Sequence, residues 1–256
     1  MLEPLQTLLD LYGVWTLALI GLLALITSAI HGATGIAGGF LLSAALAPLI
    51  GVKPIVPLIS VALLISHSSR AILNIRDIDV KAFFWVTLPA VPCIVAVAVL
   101  YGRMSASTIA LVLGLVILSS IPMRRWAQSR AIRAGRNTLH GAGAVYGALS
   151  GASIGPGMLL VPFLLGYGLT KEAFVATLAL IALVTNISRV SVYGSTDLLD
   201  PTFVALGICV GLVTIPGNWI GRSVLRRMTN ESHAGFVDIL TVVGAANFFW
   251  LAYQNF

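Results

Sequence analysis

The sequence predicts an all-α protein that crosses a lipid bilayer many times, built as two five-segment repeats of inverted topology. Three observations carry this: composition, a succession of apolar segments, and a glycine-rich stretch that occurs twice. Apolar residues make up 58% of the 256 residues and charged ones only 9%, where an ordinary globular domain is about 25% charged. Runs of about 15 to 20 apolar residues follow one another, the pattern of a polytopic helical membrane protein. The doubled stretch reads HGATGIAGGFLLSAALAPLI from His31 and GASIGPGMLLVPFLL from Gly151. A shift of 118 positions lays Ile36 on Ile154, Gly39 on Gly157, and Phe40-Leu41-Leu42 on Met158-Leu159-Leu160.

In chain order the apolar segments span 14–30, 35–50, 55–72, 82–101 and 108–123, then 138–150, 155–167, 173–193, 202–221 and 234–253. The expected organisation is a first transmembrane repeat over 1–123, a basic cytoplasmic linker over 124–137, and a second repeat over 138–256. An odd number of segments per repeat forces the copies into opposite orientations. Five of the twelve arginines lie between Met123 and Asn137, and three more are Arg222, Arg226 and Arg227. With the linker cytoplasmic, both clusters fall on one side, as the positive-inside rule requires, and both termini fall outside. The net charge of +6 is thus read as orienting charge, and no nucleic-acid partner is expected. The opening MLEPLQTLLD carries no Lys or Arg, unlike a secretory signal peptide, so the first segment is expected to be retained. Cys93 and Cys209 sit inside apolar segments without metal-ligand spacing and read as small apolar fillers. No metal or cofactor is expected.

A glycine weakens a helix by about 1 kcal/mol, so each glycine cluster reads as a helix break. Pro156 between two glycines reinforces the second. Within lipid such a break survives only where protein or a water-filled cavity covers it. The two breaks are therefore expected to face each other near the bilayer midplane and hold an anion, as interrupted helices do in repeat-built transporters. Backbone amides at a helix N-terminus carry roughly half a positive charge and bind anions without a basic side chain. The candidates here are Thr34, Gly35, Gly38, Gly39 and Ser43 in the first copy, and Ser150, Ser153, Gly155 and Gly157 in the second. The flanking segments are short of the roughly 20 residues that span a bilayer, and re-entrant hairpins or short spanning helices both satisfy the parity. Gly143, Gly147, Gly151 and Gly155 also recur every four residues, the spacing of a small-residue helix interface. Packing competes with binding most strongly at Gly143 and Gly147.

A second echo, at an offset of 119, pairs Ser66-His67-Ser68-Ser69-Arg70 with Thr185-Asn186-Ile187-Ser188-Arg189. An arginine at the centre of a membrane helix costs about 2.5–3.5 kcal/mol on insertion scales, so its recurrence in both repeats needs a reason. Two readings stand side by side: snorkelling of the head group to the interface, and an electrostatic role toward an anion. His67, Arg70, Asn186 and Arg189 join the candidate set on the second reading. His31 and His67 are read either as packing groups or as proton carriers. Asp238 is the nearest carboxylate and fits helix-end solvation, so the sequence carries no strong signal for an acidic relay or a cation site. No His-Glu-x-x-His occurs, and the few histidines and acids do not cluster, which argues against an enzyme.

The stretches GIAGGFLLSAAL and GVKPIVPLIS, their second copy SIGPGMLLVPFLLGYGLTKEAFVATLAL, and the polar-arginine stretches before Ile75-Arg76-Asp77-Ile78-Asp79 resemble the sulfite exporter TauE/SafE family of membrane permeases. The resemblance follows the chain in order through both repeats. It implies a multi-pass plasma-membrane (inner-membrane) protein that moves sulfite, a sulfonate such as sulfoacetate, or a related small organic anion, commonly outward. An anion channel and a non-transporting scaffold subunit are the alternatives. The expected partners are a small anionic substrate and the lipid bilayer, and the oligomeric state is left open.

Overall fold

A computed structural model describes residues 3–34, 38–73, 75–129, 133–225 and 230–255. They are helical almost throughout, with no strand among them. Ahead of the basic stretch lie α1 (Glu3–Thr34), α2 (Gly38–Ile50), α3 (Val52–Leu73), α4 (Val80–Tyr101) and α5 (Ala106–Ser129). Beyond it lie α6 (Arg136–Ala152), a 3₁₀ turn (Pro156–Leu160) that runs into α7 (Val161–Gly166), α8 (Lys171–Ser195), α9 (Pro201–Leu225) and α10 (Asn230–Gln254). Each expected apolar segment has its helix, but several helices outrun their segments. The first is kinked at Gly13 (φ 70°, ψ 161°), immediately before the expected start at Val14, with a further helical stretch from Glu3 ahead of the kink, and the fifth continues through Arg124 and Arg125 to Ser129, because Arg, Gln and Ala are good helix formers whatever their polarity.

Among the described residues, five helices are long and apolar enough to cross a membrane: Glu3–His31, Val52–Ile72, Val80–Tyr101, Ala173–Ser195 and Pro201–Ile220. At 1.5 Å per residue, the 13 residues of α2 reach about 20 Å, well short of a hydrocarbon core about 30 Å thick. The chain is interrupted at both places where glycines cluster. Helix α1 ends at Thr34 and α2 begins at Gly38, while α6 ends at Ala152 and the 3₁₀ turn begins at Pro156. At the second break Gly155 has φ 102°, a left-handed conformation that an L side chain disfavours.

Polarity is distributed inside out. Trp15, Leu88, Trp219 and Tyr253 are largely exposed, whereas Ser43, Ser60, Thr177 and Arg189 are buried. Soluble monomers rarely expose so much contiguous apolar surface, and a lipid-facing exterior accounts for it. Two of the buried hydroxyls fold back on their own helices, Ser60 donating to Val56 O (2.6 Å) and Ser43 to Phe40 O (2.7 Å), which satisfies both donors in an apolar interior.

Helix packing follows a regular scheme. Helix α1 lies on α9 as α6 lies on α4; α3 meets α9 as α8 meets α4; α2 meets α10 as the 3₁₀–α7 piece meets α5; and α3 with α8, and α5 with α10, pair directly. Renumbering every helix by five exchanges these pairs with one another. The α4–α6 contact shows why close approach is possible. Helix α4 buries the four-spaced face Ala82, Val86, Ala90, Ile94 and Ala98, and α6 turns Gly143, Gly147 and Gly151 toward it. A Cβ at these glycines would strike the Val86 carbonyl, the Ala90 carbonyl and the Val97 side chain respectively. Gly151, which the four-residue spacing places in line with Gly143 and Gly147, therefore packs as they do.

Candidate functional site

Where the two breaks meet, a partly open cavity lies between α1, α2, α3, α6, the 3₁₀ turn and α8. The breaks touch across it. A Cβ at Gly39 would come within 2.8 Å of Ile154, and one at Gly155 within 3.2 Å of Phe40. Its polar wall has two parts, one from each half of the chain. His31, His67 and Arg70 form the first, and Ser150, Asn186 and Arg189 the second. The parts correspond residue for residue at an offset of 119. None of the described lining residues is acidic, and no group of His, Cys, Asp and Glu fit to hold a metal ion occurs among the described residues.

The second part is built on the end of α6. The last carbonyls of a helix lack intrahelical donors, and here α8 supplies them. Arg189 Nη1 donates to Ser150 O (2.5 Å) and Ser153 O (2.7 Å), and Tyr193 Oη donates to Gly151 O (2.8 Å). Arg189 Nη2 donates to Asn186 Oδ1 at 2.5 Å, and Asn186 Nδ2 donates to Ala182 O at 2.7 Å, which fixes the orientation of the amide. A guanidinium at a helix C-terminus also meets the negative end of the macrodipole. Arg189 is 4% exposed, so its head lies inside the protein and does not snorkel. Its Nε, together with Ser150 Oγ, has no hydrogen-bond partner among the described residues.

The first part is built on the end of α1. His31 Nδ1 accepts the backbone N–H of Gly38, the first residue of α2, at 2.9 Å, and His31 Nε2 lies 3.1 Å from Arg70 Nη1. His31 thus spans the break. Gly38 is required there because a Cβ would overlap the histidine side chain. The His67 ring stands edge-on to that of His31, centroids 6.4 Å apart, and its Nδ1 has no partner among the described residues.

Of the residues singled out in sequence, Gly39, His67, Arg70, Ser150, Ser153, Gly155, Gly157, Asn186 and Arg189 line the cavity. Gly38 stands behind His31. Ser43 is fully buried and bonded to Phe40 O, away from the lining. Gly35 lies outside the described residues, and of Thr34 only the helical backbone is described. His31, weighed in sequence between packing and proton transfer, lines the cavity. Tyr146 and Thr185, hydrogen-bonded to each other at 3.1 Å, line it too. Helical spacing carries the signal for Tyr146, since 146, 150 and 153 share one face. The apolar wall of Leu63, Ile154, Leu178, Ala179 and Ala182 has no such signal.

The stretch Gly151-Ala152-Ser153-Ile154-Gly155 has the Gly-x-Ser-x-Gly spacing of a hydrolase nucleophile. That motif needs a strand-to-helix turn and a base oriented by an acid. Here Ser153 follows a helix end and its Oγ donates to Leu149 O at 2.6 Å, with no acid among the described lining residues.

The family model described as Sulfite exporter TauE/SafE matches residues 19–248, a span that includes both breaks and both arginines. No curated protein and no solved structure matches the chain.

Proposed function

The chain belongs to the sulfite exporter TauE/SafE family, a family of multi-pass membrane transporters, and on that premise we propose that it carries sulfite, a sulfonate such as sulfoacetate, or a related small organic anion out of the cell across the plasma membrane. The observation that carries this reading is the wall of the cavity: two arginines at equivalent positions and no carboxylate among the described lining residues. Two positive charges on one wall of a low-dielectric site are costly, and an anion bound there lowers that cost. The carbonyl contacts of Arg189 hold its guanidinium without neutralising it. Gly39, Gly155 and Gly157 let the substrate approach the backbone of the breaks, while Ser150, Asn186 and His67 complete its shell.

The mechanism we propose is alternating access of two inverted five-helix repeats about a site near the bilayer midplane. The exchange of packing partners on renumbering by five supports it, as does the pairing of the polar wall at one offset. An interior-negative potential expels an anion by about 2.3 kcal/mol per charge per 100 mV, which suits export without a proton relay.

The test is flux in proteoliposomes that contain the purified chain, with labelled sulfite, sulfonates and carboxylates. The expected result is saturable, protein-dependent flux with counterflow for at least one oxyanion. Flux without counterflow but with unitary currents would make the protein a channel, and no flux of any anion would end the transport reading.

A further inference from the structure

Six glycines among the described residues bring the backbone of one helix against that of another. Gly143, Gly147 and Gly151 seat α6 on α4. Gly207 and Gly211 seat α9 on α3, where an added Cβ would lie 2.8 Å from Leu58 O and 3.1 Å from Ala62 O, and Gly217 seats α9 on α1, 2.9 Å from Leu25 O. All six join a helix from beyond the basic stretch to one from ahead of it. Two hydrogen bonds run the same way. Asn218 Nδ2 of α9 donates to Ser66 Oγ of α3 at 3.1 Å, and the backbone N–H of Asp79, which caps α4, donates to Thr177 Oγ1 of α8 at 2.9 Å.

Where backbone meets backbone there is no side chain to repack, so a tilt or slide opens a void or makes a clash. The helices that hold together are therefore α1 and α3 with α9, and α6 and α8 with α4. Each group takes one helix from the other half of the sequence. The groups face each other along α3 and α8, which pair directly and both line the cavity. No glycine among the described residues brings the backbones of these two helices together. At the end where α3 begins and α8 finishes, the seam is shut by Tyr101 of α4. Fully buried, it donates from Oη to Lys53 O of α3 at 2.8 Å, and its ring centroid lies 5.3 Å from that of Tyr193.

We propose that the bodies that rock in transport are these two exchanged groups and not the two sequence repeats, with α3 and α8 as the seam and the Tyr101–Lys53 contact as a closure that parts at one end. This rests on the carrier reading and names its moving parts. Sliding of helices packed through side chains is an established mode of domain closure, and the seam is where this fold permits it. Two residue pairs separate the possibilities. Lys53 and Tyr101 share a repeat but lie in different groups, whereas Ser66 and Asn218 share a group but come from different repeats.

The experiment uses the full chain carrying Cys93→Ala and Cys209→Ala, in proteoliposomes, with labelled sulfite and methanesulfonate as probes. One variant adds Lys53→Cys and Tyr101→Cys, the other Ser66→Cys and Asn218→Cys, and a bifunctional methanethiosulfonate bridges each pair. The first bridge should stop flux until dithiothreitol releases it, and the second should leave flux unchanged. The reverse pattern, or the same effect from both bridges, would overturn the exchanged groups and leave the carrier reading standing. Spin labels at the exposed positions Ile72, Leu88 and Val145 give a second measurement that disturbs no buried residue. Addition of the transported anion should change the Ile72–Leu88 distance, across the seam, and leave the Leu88–Val145 distance, within one group, as it was. A change in the second distance, or none in the first, would also overturn the proposal. Absence of flux for both probes in the folded, unbridged protein would instead overturn the carrier reading, and the rocking groups with it.

Discussion

Arg70 and Arg189 are the same residue type at equivalent positions, yet their surroundings set them different tasks. Arg189 closes the end of α6 through two hydrogen bonds, to the Ser150 and Ser153 carbonyls, so Arg189→Gln should destabilise the fold by about 2–4 kcal/mol through orphaned carbonyls as well as lost charge, a loss that thermal unfolding in detergent reads. Arg70 lines the cavity beside His31, so Arg70→Gln should weaken anion affinity about tenfold in an anion titration of the protein in detergent, and unchanged affinity would remove Arg70 from the site. The echo at offset 119 marks both arginines in sequence. It does not tell snorkelling from an inward role, because a head group near a helix end reaches either way and only the packing of α8 on α6 decides which. At Ser43 the hydroxyl type and nearness to the break point to the site, but its rotamer bonds Phe40 O, a choice made by local geometry.

At the scale of elements, glycines of one composition serve two purposes that their neighbours assign. Gly147 has the Ala90 backbone against it. Gly147→Ala should push α6 off α4 and cost about 1–3 kcal/mol, measurable as a lower unfolding temperature. At Gly157 the nearest atom to an added Cβ is Leu178 Cδ1 at 3.9 Å. Gly157→Ala should therefore fold normally, while Gly157→Leu should insert in the membrane and lose flux; undiminished flux in the leucine variant would remove Gly157 from the pathway. The breaks were legible from glycine clustering and Pro156, because helix propensity is a local property. The four-residue spacing offered packing for Gly151 as well, but the choice between packing and the break depends on α4, which lies more than fifty residues away in sequence.

At the scale of the whole molecule, opposite orientation of the two halves is the property that the transport reading needs. Reporter fusions should place both termini on the outer side and the 124–137 stretch in the cytoplasm; termini on opposite sides of the membrane would defeat the inverted arrangement. In vesicles that contain the purified chain, an interior-negative diffusion potential should accelerate efflux of a trapped anion, and indifference to the potential would mean that the cargo moves with compensating charge.

The sequence by itself determined the membrane-spanning helical class, the succession of helices, both interruptions and the recurring polar residues. Each of these follows from apolar run length or helix propensity, readable within about twenty neighbouring residues, or from self-similarity at one offset, readable by laying the chain on itself. Only the tertiary structure decided that the two polar stretches share one cavity, that α8 closes the end of α6, and that His31 bridges the break to Arg70. These are contacts between segments that chain order separates and helix packing brings within hydrogen-bonding distance.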